Sequence, residues 1–168
     1  VAVSTNYHAE ISLVCLKAGK HVLVEKPIAA TIAEGKQMIQ AAKKADRILT
    51  VGHIERFNPA VQTLYQIIQE GRLGTITSLV AKRVGGFPPQ IKDANVIIDL
   101  AVHDIDICNY LLSERPSKVV CYKNRVHIKN REDSAELFLH YRHASAFIQV
   151  NWITPVKIRQ LAVTGTKG

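Results

Sequence analysis

His21-Val22-Leu23-Val24-Glu25-Lys26-Pro27 decides the architecture of this chain. The first four residues read as a buried strand, and the proline fixes φ and removes a donor, so the chain must turn there. Upstream, Val1–Ser4 reads as another strand, and Ala9–Ala18 has helical spacing through Ile11, Val14, Cys15 and Ala18, with Gly19 as its stop. Downstream, Thr31 is placed to cap a helix carrying Ile32, Met38, Ile39, Ala42 and Ala45, and Ile48–Gly52 is a third strand. Strand, helix, strand, helix, strand at this spacing predicts a parallel sheet with right-handed crossovers. Such sheets bind ligands beyond the carboxyl ends of their strands. Three segments fall there: Thr5-Asn6-Tyr7-His8, Glu25-Lys26-Pro27 and Gly52-His53-Ile54-Glu55-Arg56.

Further along, Asn58 caps a helix with Pro59 at its first position, and Val61, Leu64, Tyr65, Ile67 and Ile68 form its stripe, ended by Gly71 or Gly74. Thr75–Val84 reads as a strand, and Gly85-Gly86-Phe87-Pro88-Pro89 as a loop. After Ser117 the pattern changes to short strands at Val119–Tyr122, Arg125–Ile128, Ala135–Tyr141 and Ala146–Trp152. Leu137, Leu139 and Tyr141 alternate with Phe138, His140 and Arg142, which is the pattern of an antiparallel sheet with one covered face. The chain therefore passes from α/β to α+β, with a first domain over 1–55 and a second over 56–168.

Within the second domain lies Asp99-Leu100-Ala101-Val102-His103-Asp104-Ile105-Asp106. On an α-helix, positions 99, 103 and 106 share one face. Two carboxylates and an imidazole on a mostly apolar helix are costly to bury unless they pair or work. His103 is a natural proton carrier near neutrality. Asp99 is placed to orient it or to hydrogen-bond a substrate hydroxyl, and Asp106 to hold the imidazole from the other side. Lys26, just beyond a buried strand, is placed to lose hydration and exchange protons. The alternatives are a buried His-Asp pair that satisfies only itself and a metal site built from Asp99, His103 and Asp106, which would make a metal-assisted hydrolase.

The net charge is +8, but the only adjacent basic pairs are Lys43-Lys44 and Lys82-Arg83. That dispersed charge favours anionic small molecules over nucleic acid. No apolar run approaches the roughly 18 residues of a membrane span. Cys15, Cys108 and Cys121 have no metal-ligand spacing and read as small buried hydrophobes, so a reducing, cytoplasmic setting is expected. The opening Val1-Ala2-Val3, without an initiator methionine, suggests a fragment cut at both ends.

Glu25-Lys26-Pro27, Gly52-His53-Ile54-Glu55-Arg56-Phe57 and Asp99-x-x-x-His103, in this order, resemble the Gfo/Idh/MocA family of NAD(P)-dependent sugar oxidoreductases. Within that family, Gly52–Pro59 and Asn151-Trp152-Ile153-Thr154-Pro155-Val156-Lys157-Ile158-Arg159 look most like UDP-N-acetylglucosamine 3-dehydrogenases and their uronic-acid relatives. The resemblance implies the C-terminal half of a Rossmann-type domain followed by a mixed or antiparallel-sheet substrate and oligomerisation domain. It implies a catalytic set of Lys26, Asp99 and His103, with Lys26 and His103 relaying the proton of a sugar hydroxyl. NAD or NADP would meet Thr5, Asn6, His8, Glu25, Lys26 and Arg56. Arg83, Asp99, His103, Lys157 and Arg159 would meet a sugar or nucleotide-sugar, and a homo-oligomer is expected. The family's glycine-rich phosphate turn has no counterpart in these residues, so a non-catalytic member that binds a sugar or a partner protein is the rival expectation.

Overall fold

The computed structural model describes residues 1–89, 91 and 94–168, and it divides into two units, Val1–His53 and Ile54–Gly168. In the first unit, α1 (His8–Lys17), β1 (Val22–Val24), α2 (Ile32–Ala45) and β2 (Leu49–Val51) follow one another. β1 and β2 run parallel, with Val22 opposite Leu49 and Val24 opposite Val51, as a helical crossover requires. α2 begins where the sequence places it. Glu34 N–H donates to Thr31 Oγ1 at 3.2 Å and Thr31 N–H donates back to Glu34 Oε2 at 2.9 Å, a capping box.

Two local expectations differ. Val1–Ser4 is not a strand: Val1 exchanges backbone bonds with Leu23 and Glu25, and the chain then winds into a single 3-10 turn at Thr5–Tyr7. In α1 the inward row is His8, Ala9, Ser12 and Leu16, while Val14 is 62% exposed. That row advances by four and includes two polar residues, which counting apolar positions passes over. β1 is one-sided, with Val22 and Val24 buried and Leu23 exposed.

The second unit contains α3 (Pro59–Gln69), β3 (Ile76–Gly86), a π-helical turn (Ile97–Ala101), α4 (Val102–Leu112), β4 (Lys118–Asn124), β5 (Ser134–His140), β6 (Ser145–Asn151) and β7 (Ile153–Gly165). Asn58 Oδ1 accepts from Ala60 N–H at 3.0 Å and Pro59 opens α3, as the sequence predicts. The strands form one sheet in the order β4-β5-β6-β3-β7. It is mixed: β3 pairs parallel with β6 and antiparallel with β7. Leu79, Ala81, Leu137, Leu139, Ile148 and Val150 bury one face against Ile107, Cys108 and Leu111 of α4. Phe138 and Val80, between them in the strands, are exposed on the other face.

Arg125–Ile128 is a loop, where the sequence suggested a strand. Asp133, 1% exposed, explains it: its carboxylate accepts the N–H groups of Val126 (2.8 Å), His127 (2.6 Å) and Ile128 (2.9 Å). Those donors are no longer available to a ladder. Burial pushes this carboxyl up, but the three N–H donors outweigh it and hold it below the usual carboxylate range. A depressed folded value means that Asp133 stabilises the unit above the unfolded carboxylate pKa and stops doing so as pH falls through the folded value. Asp133→Asn should therefore cost about 1–3 kcal/mol at neutral pH and flatten the acid limb of the stability curve, measured by urea unfolding from pH 7 down to pH 2.

The strand β7 was not apparent in the sequence, because Pro155 interrupts its alternation. Its far end closes on the turn before β3, where any Cβ at Gly165 would collide with the Leu73 carbonyl oxygen. Cys121 is also corrected. It is exposed on β4, whereas Cys108 is buried and its thiol is pushed up to about 12 by desolvation and by Asp104. Among the described residues, no helix is long and apolar enough to cross a membrane.

Candidate functional site

In the first unit the expected ligand-facing residues gather at the carboxyl end of β1. Glu25 follows the strand directly, and its carboxylate lies against Gly52, where an added Cβ would come within 3.3 Å of both its oxygens. Lys26 and Pro27 make the next turn, joined by a cis peptide bond. His8 is 1% exposed, with Nδ1 2.8 Å from the Pro27 carbonyl and Nε2 3.0 Å from the Val3 carbonyl. The ring thus supports the Lys26–Pro27 turn from the interior, where the sequence had placed it against a cofactor. Thr5 and Asn6 lie in the 3-10 turn just before it, with Asn6 exposed.

In the second unit a cavity of about 320 Å³ opens between the sheet and the helical segment. Asp99 and His103 line it from one side, and Gly85, Trp152, Lys157 and Arg159 from the other. Asp99 sits in the π turn, so the i, i+4, i+7 face of an ideal α-helix does not apply; the wider turn re-aims it relative to His103. Both nevertheless reach the same cavity. Pockets of roughly 300–1,000 Å³ suit small ligands, and this one lies at the lower end of that range.

The sheet wall is shaped by a large irregularity. Between Gly86↔Ile153 and Val84↔Ile158, β3 advances two residues while β7 advances five. The start of this irregular stretch is stitched by Asn151 Oδ1, which accepts from Ile153 N (3.1 Å), Thr154 N (3.0 Å) and Thr154 Oγ1 (2.9 Å). Pro155 cannot donate to the ladder, which suits it to this position. Lys157 passes over Gly85, where an added Cβ would meet its Cα at 3.7 Å. Bulges of this kind recur beside functional sites because they redirect side chains.

The candidate arginines divide sharply. Arg83 is 7% exposed and bidentate to Asp104, through Nε (2.9 Å) and Nη2 (3.0 Å), with Nη1 on Glu55 at 2.9 Å. Three of its donors are committed to two carboxylates, so its charge is balanced inside the wall of the cavity that it helps to line. Burial pushes the Asp104 carboxyl up against the pull of Arg83. Burial also opposes ionisation of Glu55, but hydrogen bonds from Arg83 and Asn58 hold it below its ordinary value. Arg56, expected at a cofactor, is bidentate to Asp106 at 2.8 and 2.6 Å and lies over the Tyr110 ring at 5.3 Å. Lys157 is exposed, and Arg159 is half exposed with only a 3.9 Å approach to Glu55. Those two bring positive charge to the cavity mouth.

Sequence reasoning missed Glu55, Asp104 and Trp152 as site-building residues. Trp152 had a signal in its place between Asn151 and Thr154-Pro155, and Gly85-Gly86 marked the open wall. The two carboxylates stand inside stretches the sequence singled out, but no spacing rule pairs either of them with Arg83. Among the described residues, no group of three or more His, Cys, Asp or Glu side chains converges as a metal site.

Comparison with known proteins extends over both units. Residues 1–53 match the family model described as "Oxidoreductase family, NAD-binding Rossmann fold", and residues 61–168 match the one described as "GFO/IDH/MocA C-terminal domain". Inositol 2-dehydrogenase 2 of Saccharopolyspora erythraea is 35% identical over 116 residues, 68% of this chain and 34% of that protein. UDP-N-acetylglucosamine 3-dehydrogenase of Acidithiobacillus ferrooxidans is 34% identical over 119 residues, 71% of this chain and 37% of that protein. The crystal structure of a probable dehydrogenase from Thermotoga maritima superposes with a TM-score of 0.92 at 27% identity, covering 100% of this chain and 54% of that one. The matched region spans about a third of the length of these curated relatives.

Proposed function

Because the chain belongs to the Gfo/Idh/MocA oxidoreductase family, we propose that it is the substrate-handling part of a nicotinamide-dependent dehydrogenase that oxidises a sugar hydroxyl, in particular that of a UDP-linked amino sugar. The observation that carries this reading is the cavity in the second unit, with Asp99 and His103 on one wall and Lys157 and Arg159 at its mouth. It has room for one sugar ring, and the two cations suit a diphosphate lying outside it.

Asp99 accepts a hydrogen bond from the reacting hydroxyl and fixes its orientation. The His103 imidazole takes the hydroxyl proton as the carbon–oxygen bond gains double-bond character. Lys26, in the Glu-Lys-Pro turn of the first unit, is proposed as a proton-relay residue on the strength of the family resemblance. The polar groups at the end of β1 (Thr5, Asn6, Glu25 and Lys26) form a donor and acceptor set that fits an amide and ribose hydroxyls, and they are the residues proposed to hold the cofactor. NAD, when bound, supplies the hydride acceptor. His8 supports their turn from behind.

Calorimetric titration tests the substrate class. UDP-N-acetylglucosamine should bind the chain at least ten times more tightly than N-acetylglucosamine, and Lys157→Ala with Arg159→Ala should remove that advantage. Free inositol binding as tightly as the UDP-sugar, with no effect of the two substitutions, would replace the nucleotide-sugar by an uncharged polyol.

A further inference from the structure

The segment leading into Asp99 is held by contacts that the proposed chemistry does not use. Glu132, 8% exposed, accepts Asn95 Nδ2 on Oε2 at 3.0 Å, and on Oε1 it accepts Lys123 Nζ (3.0 Å) and Arg125 Nη2 (3.2 Å). Its backbone carbonyl takes the Val96 N–H at 3.1 Å, and neighbouring Arg131 donates to the Ala94 carbonyl at 3.2 Å. Asn95 passes this restraint forward. Its Oδ1 accepts the Ile98 N–H at 3.0 Å and its backbone carbonyl accepts the Asp99 N–H at 3.0 Å.

The chemistry of the amide makes this arrangement directional. Asn95 must present nitrogen to the carboxylate and oxygen to the Ile98 N–H, so a flipped amide would lose both bonds. The Lys123 ammonium foremost, with the Glu132 backbone N–H, Asn95 and Arg125, holds the Glu132 carboxyl down at about 2, so it remains an acceptor at any working pH.

We propose that Glu132 and Asn95 form a positioning latch that fixes the π turn and thereby sets where Asp99 stands in the cavity. The inference rests on the reading of Asp99 as a substrate-binding residue, and its test separates the two. Neither latch residue touches the reacting atoms; both act through Asp99.

The discriminating variant is Asn95→Asp. Aspartate keeps the oxygen that caps Ile98, so a residue that only caps would lose nothing. It also sets a second carboxylate against Glu132, so a latch must open. The measurements are amide hydrogen exchange and steady-state kinetics in the full-length protein that carries this chain. Exchange at Ile98 and Asp99 should rise about tenfold while β5 and β6 keep their protection, and kcat should fall about tenfold with the cofactor KM unchanged. Glu132→Gln still offers an oxygen to Asn95, and its amide nitrogen displaces only the exposed Lys123 and Arg125 side chains, which can turn to solvent, so it should stay within about threefold of the parent on both measures. Unchanged exchange at Ile98 and Asp99 in Asn95→Asp overturns the latch, as does loss of protection across the whole unit. Raised local exchange with unchanged kinetics upholds the latch and instead overturns the role given to Asp99.

Discussion

An Arg83→Ala variant should unfold with about 3–5 kcal/mol less stability than the parent, because removing one partner of a buried ion pair strands the others. Side chains of Arg83, Glu55 and Asp104 are 8%, 16% and 6% exposed, so water cannot readily replace the missing guanidinium. Asp104 is the more vulnerable of the two, since desolvation already works against its charge. Urea unfolding followed by the fluorescence of Trp152, the single tryptophan, reports on the second unit specifically. Arg83→Met combined with Asp104→Asn should recover more than half of the loss, because only Glu55 is then left uncompensated, and Asn58 Nδ2 still donates to it at 3.2 Å. A single-variant cost below about 1 kcal/mol would mean that the network contributes little beyond its own desolvation cost.

His103→Ala should lower turnover by about 10²–10⁴-fold in a full-length protein carrying this chain, the range lost with a general base. The unfolding midpoint should hold within the scatter of surface substitutions, because the ring is only partly buried. The split between kinetic constants identifies the role. A fall in kcat with little change in KM for the sugar marks a group that acts in the transition state. A rise in KM alone would make His103 a binding residue and send the search for the base to Lys26. Initial-rate measurements of NADH formation across a range of sugar concentrations distinguish these outcomes.

What could be read from the sequence was local. Thr31, and Asn58 with Pro59, announce their helices within a single turn of chain. Glu25-Lys26-Pro27 marks a strand end without help from elsewhere. Leu137, Leu139 and Tyr141 reveal their covered face by alternation alone, and the structure buries all three. What could not be read depends on residues far apart. Arg56 meets Asp106 50 positions later, and Arg83 meets Glu55 28 positions earlier, so no spacing rule links them. The π turn inserts its extra residue without any glycine or proline to announce it. At Arg125–Ile128 the apolar pattern was real, but the buried Asp133 claimed the backbone donors first. Lys157 and Arg159 could be named as cations, yet only the irregular pairing of β7 with β3 shows why they stand at a cavity.

That same pairing has a consequence for how the second unit folds. Thr77 of β3 and the Thr164 carbonyl of β7 meet across 87 residues, and the parallel partner β6 is nearly as remote in the chain. Contacts of such long range must overcome loop-closure entropy before they return any stability, which puts this topology among the slow folders, on the order of milliseconds to seconds. Gly85, Trp152, Lys157 and Arg159 all belong to these late ladders or to their ends. The helical wall with Asp99 and His103 can form early, but the cavity has no second wall until the distant strands have docked. Ligand binding should therefore appear in step with the slowest refolding phase, and a ligand added to the refolding mixture should slow unfolding without speeding folding.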